Sequence, residues 1–180
     1  MRASFIDQEL KRHRVSHLIG LPDNTSAALF ALLQDESDPR LISVTREGEA
    51  FAIAAGLWVG GRLPVVFIQN TGLLESGDSL RGTVIRMRVP LVCFLTYRGF
   101  ASLNSLKPKP GEVDAEILSR PGLDSVALMT ESTLQSWGLP YDFLSNESEE
   151  RAAQQIDGAF RKAEILSQPV VLLVTKDLTP

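Results

Sequence analysis

The stretch that decides the fold runs from Glu47 to Leu73 and reads EGEAFAIAAGLWVGGRLPVVFIQNTGL. Apolar residues recur at helical spacing in its first half and acidic residues occupy the first turn, so we predict a helix over Glu47–Val59. Gly60-Gly61 ends this helix, and the short apolar run Pro64–Gln69 predicts a buried strand. A helix that leads into such a strand is typical of a parallel sheet covered by helices.

The rest of the chain repeats this alternation of short apolar runs and longer helical segments. We predict strands at Val15–Leu21, Leu41–Val44, Pro64–Gln69, Pro90–Tyr97, Tyr141–Leu144 and Pro169–Val174. Further helices are predicted at about Ser4–His13, from Asp23–Ser26 through Leu33, and at Leu74–Arg86, Leu123–Trp137 and Ser148–Leu166. Arg98–Pro121 lacks periodicity and predicts a long loop. The pattern indicates an α/β fold, a three-layer, doubly wound parallel sheet of about six strands with helices on both faces, formed by residues 1–180 as a single domain.

Composition narrows the class of protein. The 180 residues carry a net charge of −4, with 44% hydrophobic and 22% charged residues, as in a globular protein with a sizeable core. Because the chain is not basic, we expect neither nucleic acid nor a membrane as a partner. The sequence contains no apolar stretch of membrane-spanning length and no signal-peptide core, so we expect a soluble, cytoplasmic protein. The single cysteine, Cys93, lies in an apolar run and is expected to be a buried, unreactive thiol.

Polar residues are concentrated where predicted strands end, which is where open parallel sheets bind ligands. The segments are Leu21–Asn24, Thr45–Glu47, Gln69–Gly72 and Tyr97–Gly99. Ordinary caps and turns favour the same residue types, so the pattern alone leaves both interpretations open. The sequence has no phosphate-binding loop, no G-x-G-x-x-G and no G-x-S-x-G. We predict no metal site formed by this chain's histidines and cysteine, which are too few and poorly spaced.

The stretch Thr45–Leu57 resembles the glutamate helix in the pyrimidine-binding domain of thiamine-diphosphate-dependent enzymes. Those enzymes place a glutamate at the start of a small-residue helix, nine residues before a glycine, and Glu47 and Gly56 have this spacing. Glu49 lies at the wrong distance and is interpreted as a solvated first-turn acid. Gly60–Val66 continues the likeness into the next strand. The resemblance therefore implies the thiamine-diphosphate-binding fold.

Within that superfamily the chain most resembles the group formed by the sulfopyruvate decarboxylase α subunit and phosphonopyruvate decarboxylase. The likeness covers nearly the whole chain and is carried, in order, by Leu21-Pro22-Asp23, Gln69–Leu73, Arg98-Gly99 and Gly138–Tyr141. Two segments depart from the pattern. Leu74-Glu75 stands where the family tends to have Gly-Asn, and Phe100–Val113 contains no histidine, which puts the family's exact substrate in question.

The resemblance implies roles for individual residues. Glu47 would be catalytic, because the family glutamate hydrogen-bonds N1′ of the aminopyrimidine ring and so activates the cofactor. The residues implied to bind the cofactor are Pro22, Glu47, Thr71 and Gly72. The residues implied to bind substrate are Asp23, Asn70 and Arg98, where a guanidinium suits an anionic carboxylate, phosphonate or sulfonate.

The same resemblance implies a missing partner. In this superfamily Mg²⁺ holds the cofactor's diphosphate through a Gly-Asp-Gly sequence and a later Asn, and the nearest string here, Gly77-Asp78-Ser79, has no fitting Asn. We therefore expect no metal ligand in this chain, and thiamine diphosphate shared with a separate β subunit that carries the Gly-Asp-Gly motif and holds Mg²⁺. The small-residue helix that begins at Glu47 is the expected packing surface in a homo- or hetero-oligomer.

The expected function is that of the α subunit of a thiamine-diphosphate-dependent 2-oxo acid decarboxylase, a lyase that is inactive without its partner. The expected substrate resembles sulfopyruvate or phosphonopyruvate. Two alternatives stay open at this point. One is a subunit of another thiamine-diphosphate-dependent decarboxylase or carboligase, and the other is a non-catalytic orphan domain with a regulatory or scaffolding role.

Overall fold

The computed structural model describes residues 1–103 and 112–180. Within them, six parallel strands form one sheet in the order β2-β1-β3-β4-β6-β5. The strands are β1 (His17–Gly20), β2 (Arg40–Ser43), β3 (Pro64–Gln69), β4 (Val92–Thr96), β5 (Tyr141–Phe143) and β6 (Val170–Val174). β4 and β6 are buried along their whole length and β3 along nearly all of it, because both faces of the sheet are covered.

Helices cover both faces, so the predicted three-layer α/β fold is confirmed. Their bounds are α1 (Ala3–Arg12), α2 (Ala27–Leu33), α3 (Glu47–Val59), α4 (Asn70–Glu75), α5 (Gly77–Ser79), α6 (Ala115–Leu118), α7 (Ser125–Ser136) and α8 (Glu149–Leu166). A π-helical turn follows α5 at Leu80–Ile85, and a 3₁₀ turn follows β4 at Phe100–Leu103.

Successive residues of each strand face opposite layers of the core. Val65 and Phe67 of β3 pack into the cluster that contains α1, α2 and α8. Val66 and Ile68 pack into the cluster that contains α3, α4 and α7. This period of two is what a strand imposes on its side chains, and it places two separate apolar cores on the two faces. Cys93 is buried in the second core, and burial raises the pKa of its thiol, as predicted for an unreactive cysteine.

The predicted bounds of α3 and β3 agree with the structure, and most other elements agree to within a few residues at their ends. The prediction was wrong for the helix after β3. It begins at Asn70 rather than at Leu74, because the first helical turn tolerates residues that otherwise favour turns. It is also interrupted at Ser76, whose hydroxyl donates a hydrogen bond back to the Gly72 carbonyl.

The predicted long loop Arg98–Pro121 contains two short helical pieces, the 3₁₀ turn and α6. Asp114 caps α6 by accepting a hydrogen bond from the Ile117 amide at 2.8 Å. The middle of the loop prediction, residues 104–111, lies outside the described residues. Across the described ranges, no helix combines the length and the apolar character that crossing a membrane requires.

Candidate functional site

The candidate site lies at the carboxyl edge of the sheet, around the ends of β1, β2 and β3. The strand order places β1 between β2 and β3. The chain leaves β1 toward α2 in one layer and leaves β3 toward α4 in the other. Such a reversal opens a crevice between neighbouring strands, and this is where open α/β sheets bind ligands.

Glu47 and Gly72 meet at this edge of the sheet. Glu47 is the first residue of α3, and Gly72 lies in the first turn of α4. A Cβ atom added to Gly72 would lie 2.3 Å from Cγ and 2.7 Å from Cδ of Glu47, so a side chain at position 72 would collide with the Glu47 side chain. The structure therefore brings two of the predicted site residues into direct contact, and it explains why one of them is glycine.

Glu47 is a half-buried residue, and its carboxylate has no hydrogen-bond or ion-pair partner among residues 1–103 and 112–180. Burial of a carboxylate without a partner is unfavourable, so such groups are usually paired. Here the carboxylate stays available to a group from outside the chain. It can accept a hydrogen bond from a donor group on a ligand.

Two other carboxylates hold the start of α3. Glu49 accepts hydrogen bonds from the backbone amides of Thr45 at 3.1 Å and Arg46 at 3.2 Å, and these bonds hold the pKa of Glu49 below its ordinary value. This agrees with its interpretation as an exposed first-turn acid and adds a capping role. Glu75, at the end of α4, accepts from the Gly48 amide at 2.7 Å and from the Arg46 guanidinium at 2.6 Å.

Asp23 connects the ends of three strands. Its carboxylate accepts hydrogen bonds from the Ser26 amide at 2.9 Å, the Gln69 side chain at 2.9 Å and the Thr96 hydroxyl. Burial alone would raise the pKa of Asp23, but hydrogen bonds, chiefly from Ser26 and Thr96, outweigh it and hold the pKa below its ordinary value. Asp23 is therefore an ionised, internally bonded group, and its contact with substrate stays a prediction.

Pro22 and Thr71 follow the ends of β1 and β3. Pro22 is exposed immediately before Asp23. The Thr71 hydroxyl donates to the Gln69 side-chain oxygen, and the Gln69 amide donates to Asp23. The implied cofactor-binding residues thus share one edge with Glu47 and Gly72, although their contacts with a cofactor stay predictions.

Asn70 is fully buried and holds the turn after β4. Its side-chain nitrogen donates to the Arg98 carbonyl and to the Thr130 hydroxyl, both at 3.0 Å. Its side-chain oxygen is buried and has no hydrogen-bond partner in the described part of the chain. The amide therefore ties β3, the turn after β4 and α7 together, and the predicted substrate contact of Asn70 is untested.

Arg98 carries an exposed guanidinium, with 60% of its side chain accessible. Its Nε lies 3.2 Å from Oδ2 of Asp124, which also caps α7 through the Val126 and Ala127 amides. Gly99 has a φ of +78°, and a Cβ there would lie 2.5 Å from Cβ of Asp124. An anion that binds Arg98 would have to share it with Asp124.

The sequence predicted no role for Glu75, Asp124, Gln69 or Thr96, although Gln69 belongs to a segment expected to bind ligand and Glu75 to a departure from the family pattern. Gln69 and Thr96 had a usable signal, because each is the polar last residue of an apolar strand. Asp78 of the Gly77-Asp78-Ser79 string is exposed and bonds to Arg81 at 2.7 Å. Over residues 1–103 and 112–180, no group of three histidine, cysteine or acidic side chains is placed to hold a metal ion.

Three comparisons with known proteins bear on this arrangement. A profile of the family described as "Thiamine pyrophosphate enzyme, N-terminal TPP binding domain" matches residues 3–117. The chain is 25% identical over 160 residues to sulfopyruvate decarboxylase subunit alpha of Methanococcus maripaludis, which covers 89% of this chain and 86% of that protein. It is 34% identical over 100 residues to phosphonopyruvate decarboxylase of Streptomyces viridochromogenes, which covers 56% of this chain.

This chain spans 23% of the length of the phosphonopyruvate decarboxylase that it matches. Among solved structures, benzoylformate decarboxylase from Polynucleobacter necessarius matches with a TM-score of 0.65 and 20% sequence identity. The match covers 100% of this chain and 32% of that chain. At this identity the structural likeness supports the fold alone.

Proposed function

This chain belongs to the family of N-terminal TPP binding domains of thiamine pyrophosphate enzymes, and from that premise we propose that it is the pyrimidine-binding α subunit of a 2-oxo acid decarboxylase. The proposed substrate is a pyruvate that carries a sulfonate or phosphonate group. Support comes from the relatives, which are named sulfopyruvate decarboxylase subunit alpha and phosphonopyruvate decarboxylase. The reaction would be that of a lyase releasing carbon dioxide.

One observation carries the proposal. Glu47 is half-buried, lies against Gly72 and is unpaired in the described part of the chain. A carboxylate so placed fits N1′ of an aminopyrimidine ring, with which it would share a proton. Bound thiamine diphosphate supplies the electron sink for decarboxylation, and this chain would supply the hydrogen bond that orients and activates the ring.

The remaining residues are assigned from the family resemblance, and they follow the ends of β1, β3 and β4 at the same edge of the sheet as Glu47. Pro22, Thr71 and Gly72 would line the pyrimidine site. Asp23 would shape the substrate side of the site through the strand ends that it connects. Asn70 would do so through the turn after β4, which it holds. Arg98 would bind the second anionic group of the substrate with its exposed guanidinium, in exchange for part of its contact with Asp124.

The diphosphate and Mg²⁺ would be held by a separate β subunit that carries a Gly-Asp-Gly motif. The relatives named "subunit alpha" support this division of the enzyme. The outward side of α3 supports a contact there: Ala52, Gly56 and Val59 are exposed on a helix whose apolar residues continue around it. A helix that is apolar on its exposed side gains stability when a second chain covers it.

Reconstitution tests this function. The purified chain, a candidate β subunit, thiamine diphosphate and Mg²⁺ are mixed with sulfopyruvate, phosphonopyruvate or other 2-oxo acids, and carbon dioxide release is measured. We expect release only when both chains are present. Activity of this chain alone would contradict the need for a partner. Activity only with an unsubstituted 2-oxo acid, or formation of a carboligation product, would move the assignment to another enzyme of the same cofactor class.

A further inference from the structure

The start of α3 depends on two acidic side chains, one from its own first turn and one from outside the helix. The amides at the start of any helix have no partner within it and need acceptors elsewhere. Arg46 occupies the N-cap position and has no side-chain oxygen with which to accept a hydrogen bond. Glu49 satisfies the amides of Thr45 and Arg46, and Glu75 satisfies the amide of Gly48.

Glu75 uses its two oxygens for two different partners. Oε1 accepts hydrogen bonds from the Arg46 guanidinium at 2.9 and 2.6 Å, and Oε2 accepts from the Gly48 amide at 2.7 Å. These partners flank Glu47 on either side in the sequence. A Cβ at position 48 would lie 3.1 Å from Oε2, so glycine leaves room for this close contact. The carboxylate therefore holds the backbone of Gly48 on one side of Glu47 and the side chain of Arg46 on the other.

The helix that carries Glu75 also carries Gly72. Residues three apart on a helix lie on the same face, so Gly72 and Glu75 both face the start of α3. Gly72 touches the side chain of Glu47, while Glu75 binds the backbone next to it. Two contacts from one helix fix the position and the direction of the Glu47 side chain better than either contact alone.

From these contacts we infer that Glu75 is a positioning residue for Glu47, a role that rests on the proposed function. By locking Arg46 and Gly48, Glu75 keeps Glu47 against Gly72 and directs its carboxylate to the cofactor's pyrimidine ring. Glu75 itself is not assigned a contact with the cofactor. Its effect on catalysis passes through the geometry of the first turn of α3.

The test compares Glu75→Ala and Glu75→Gln with Asp78→Asn. The control removes a carboxylate from the adjacent short helix, where Asp78 is exposed and bonds to Arg81. In the isolated chain, NMR measures hydrogen exchange of the Gly48 amide and the contact between the Glu47 γ-protons and the Gly72 α-protons. In the reconstituted enzyme, kcat and KM are measured separately.

We expect Glu75→Ala to speed Gly48 exchange, weaken the Glu47–Gly72 contact and lower kcat about tenfold with little change in KM, because misplacement of a catalytic group acts on the chemical step. Glu75→Gln should recover part of kcat, since its amide oxygen still accepts from Gly48. Asp78→Asn should match the wild type in every measurement. Wild-type exchange, contact and kcat in Glu75→Ala would overturn the positioning role.

The NMR and the kinetic measurements distinguish a failure of the positioning role from a failure of the proposed function. The NMR measurements need neither partner nor cofactor, so an unchanged Glu47–Gly72 contact in Glu75→Ala overturns the inference whatever the enzyme does. A wild-type complex that binds no thiamine diphosphate and decarboxylates no 2-oxo acid would instead overturn the proposed function.

Discussion

Glu47 and Asp23 are two half-buried acidic residues at the same edge of the sheet, and they differ in their hydrogen-bond partners. Asp23 receives hydrogen bonds from Ser26, Gln69 and Thr96. Glu47 receives none from the described residues and touches the backbone at Gly72. A fully bonded carboxylate stabilises a structure, whereas an unpaired one is retained at a cost and is available to a ligand. Because of this difference we propose Glu47, and not Asp23, as the catalytic acid.

The largest effect is expected from Glu47→Gln in the reconstituted enzyme. The amide cannot share a proton with the pyrimidine ring, so we predict loss of activity by about a thousandfold, within the range of general acid–base catalysis. Assembly with the partner should be unchanged. The measurement is kcat together with size-exclusion chromatography, and Glu49→Gln serves as the control on the same helical turn. Equal activity of Glu47→Gln and wild type would remove the distinction between the two acids and favour a regulatory or scaffolding role.

Gly72→Ala should have the next largest effect, because its Cβ would overlap the Glu47 side chain at 2.3 Å. We predict a fall in kcat of about a hundredfold through displacement of Glu47. Overpacking should also lower the free energy of unfolding by about 1–3 kcal/mol, measured by urea denaturation of the isolated chain. The control is Gly158→Ala in α8, where a Cβ meets no described atom within 4 Å and should stabilise the helix slightly. Normal activity in Gly72→Ala would show that the close contact with Glu47 is dispensable.

Asp23→Asn changes the other acid of this pair and should lower the free energy of unfolding. Replacing half of the acceptor with an amide donor leaves donors from neighbouring strands unmatched, so we predict a loss of about 1–3 kcal/mol at pH 7. Because the folded-state pKa of Asp23 lies below its ordinary value of 3.8, its ionisation stabilises the chain above that pH. This contribution is lost as the pH falls through the lowered pKa. Urea denaturation between pH 7 and pH 3 should show the variant's deficit shrinking toward acid, and a constant deficit would contradict this assignment.

Arg98→Ala should have the smallest of these effects. The exposed guanidinium already contacts Asp124, so binding a substrate anion replaces part of an existing ion pair and adds less binding energy than a new one. We therefore predict a rise in KM of about tenfold with a smaller change in kcat. Asp124→Asn should leave KM near the wild-type value or lower it, since it frees Arg98. Steady-state kinetics with sulfopyruvate or phosphonopyruvate checks both variants. An unchanged KM in Arg98→Ala would exclude Arg98 from substrate binding.

Most of the fold could be predicted from the sequence, because its signals are local. Helical spacing fixed the bounds of α3, and an unbroken apolar run fixed those of β3. The start of α4 was predicted at Leu74 instead of Asn70, because asparagine, threonine and glycine favour turns but are also accepted in the first helical turn. Local signals cannot distinguish these two uses of the same residues.

The candidate site could be predicted only in part. Glu47 and Gly72 were identified through a family resemblance, and the structure supplies their contact. Glu75 was noted only as a departure from the family pattern, because its partners Arg46 and Gly48 are distant in the sequence. The hydrogen bonds of Asp23 with Gln69 and Thr96 could not be predicted for the same reason. Contacts between strand ends depend on the order of strands in the sheet, which periodicity does not specify.

The proposed function requires that this chain supply half of a thiamine-diphosphate site and that another chain supply the rest. The most direct test is affinity isolation of the chain from its source cells in Mg²⁺-containing buffer, with mass spectrometry of the recovered proteins and a measurement of bound thiamine diphosphate. We predict a stoichiometric second chain that carries Gly-Asp-Gly and a later Asn, with the cofactor present in the complex. Recovery of the chain by itself, with or without bound thiamine diphosphate, or in a complex that lacks such a partner and the cofactor, would contradict this division of the site. Recovery of the chain by itself without the cofactor would favour a non-catalytic role.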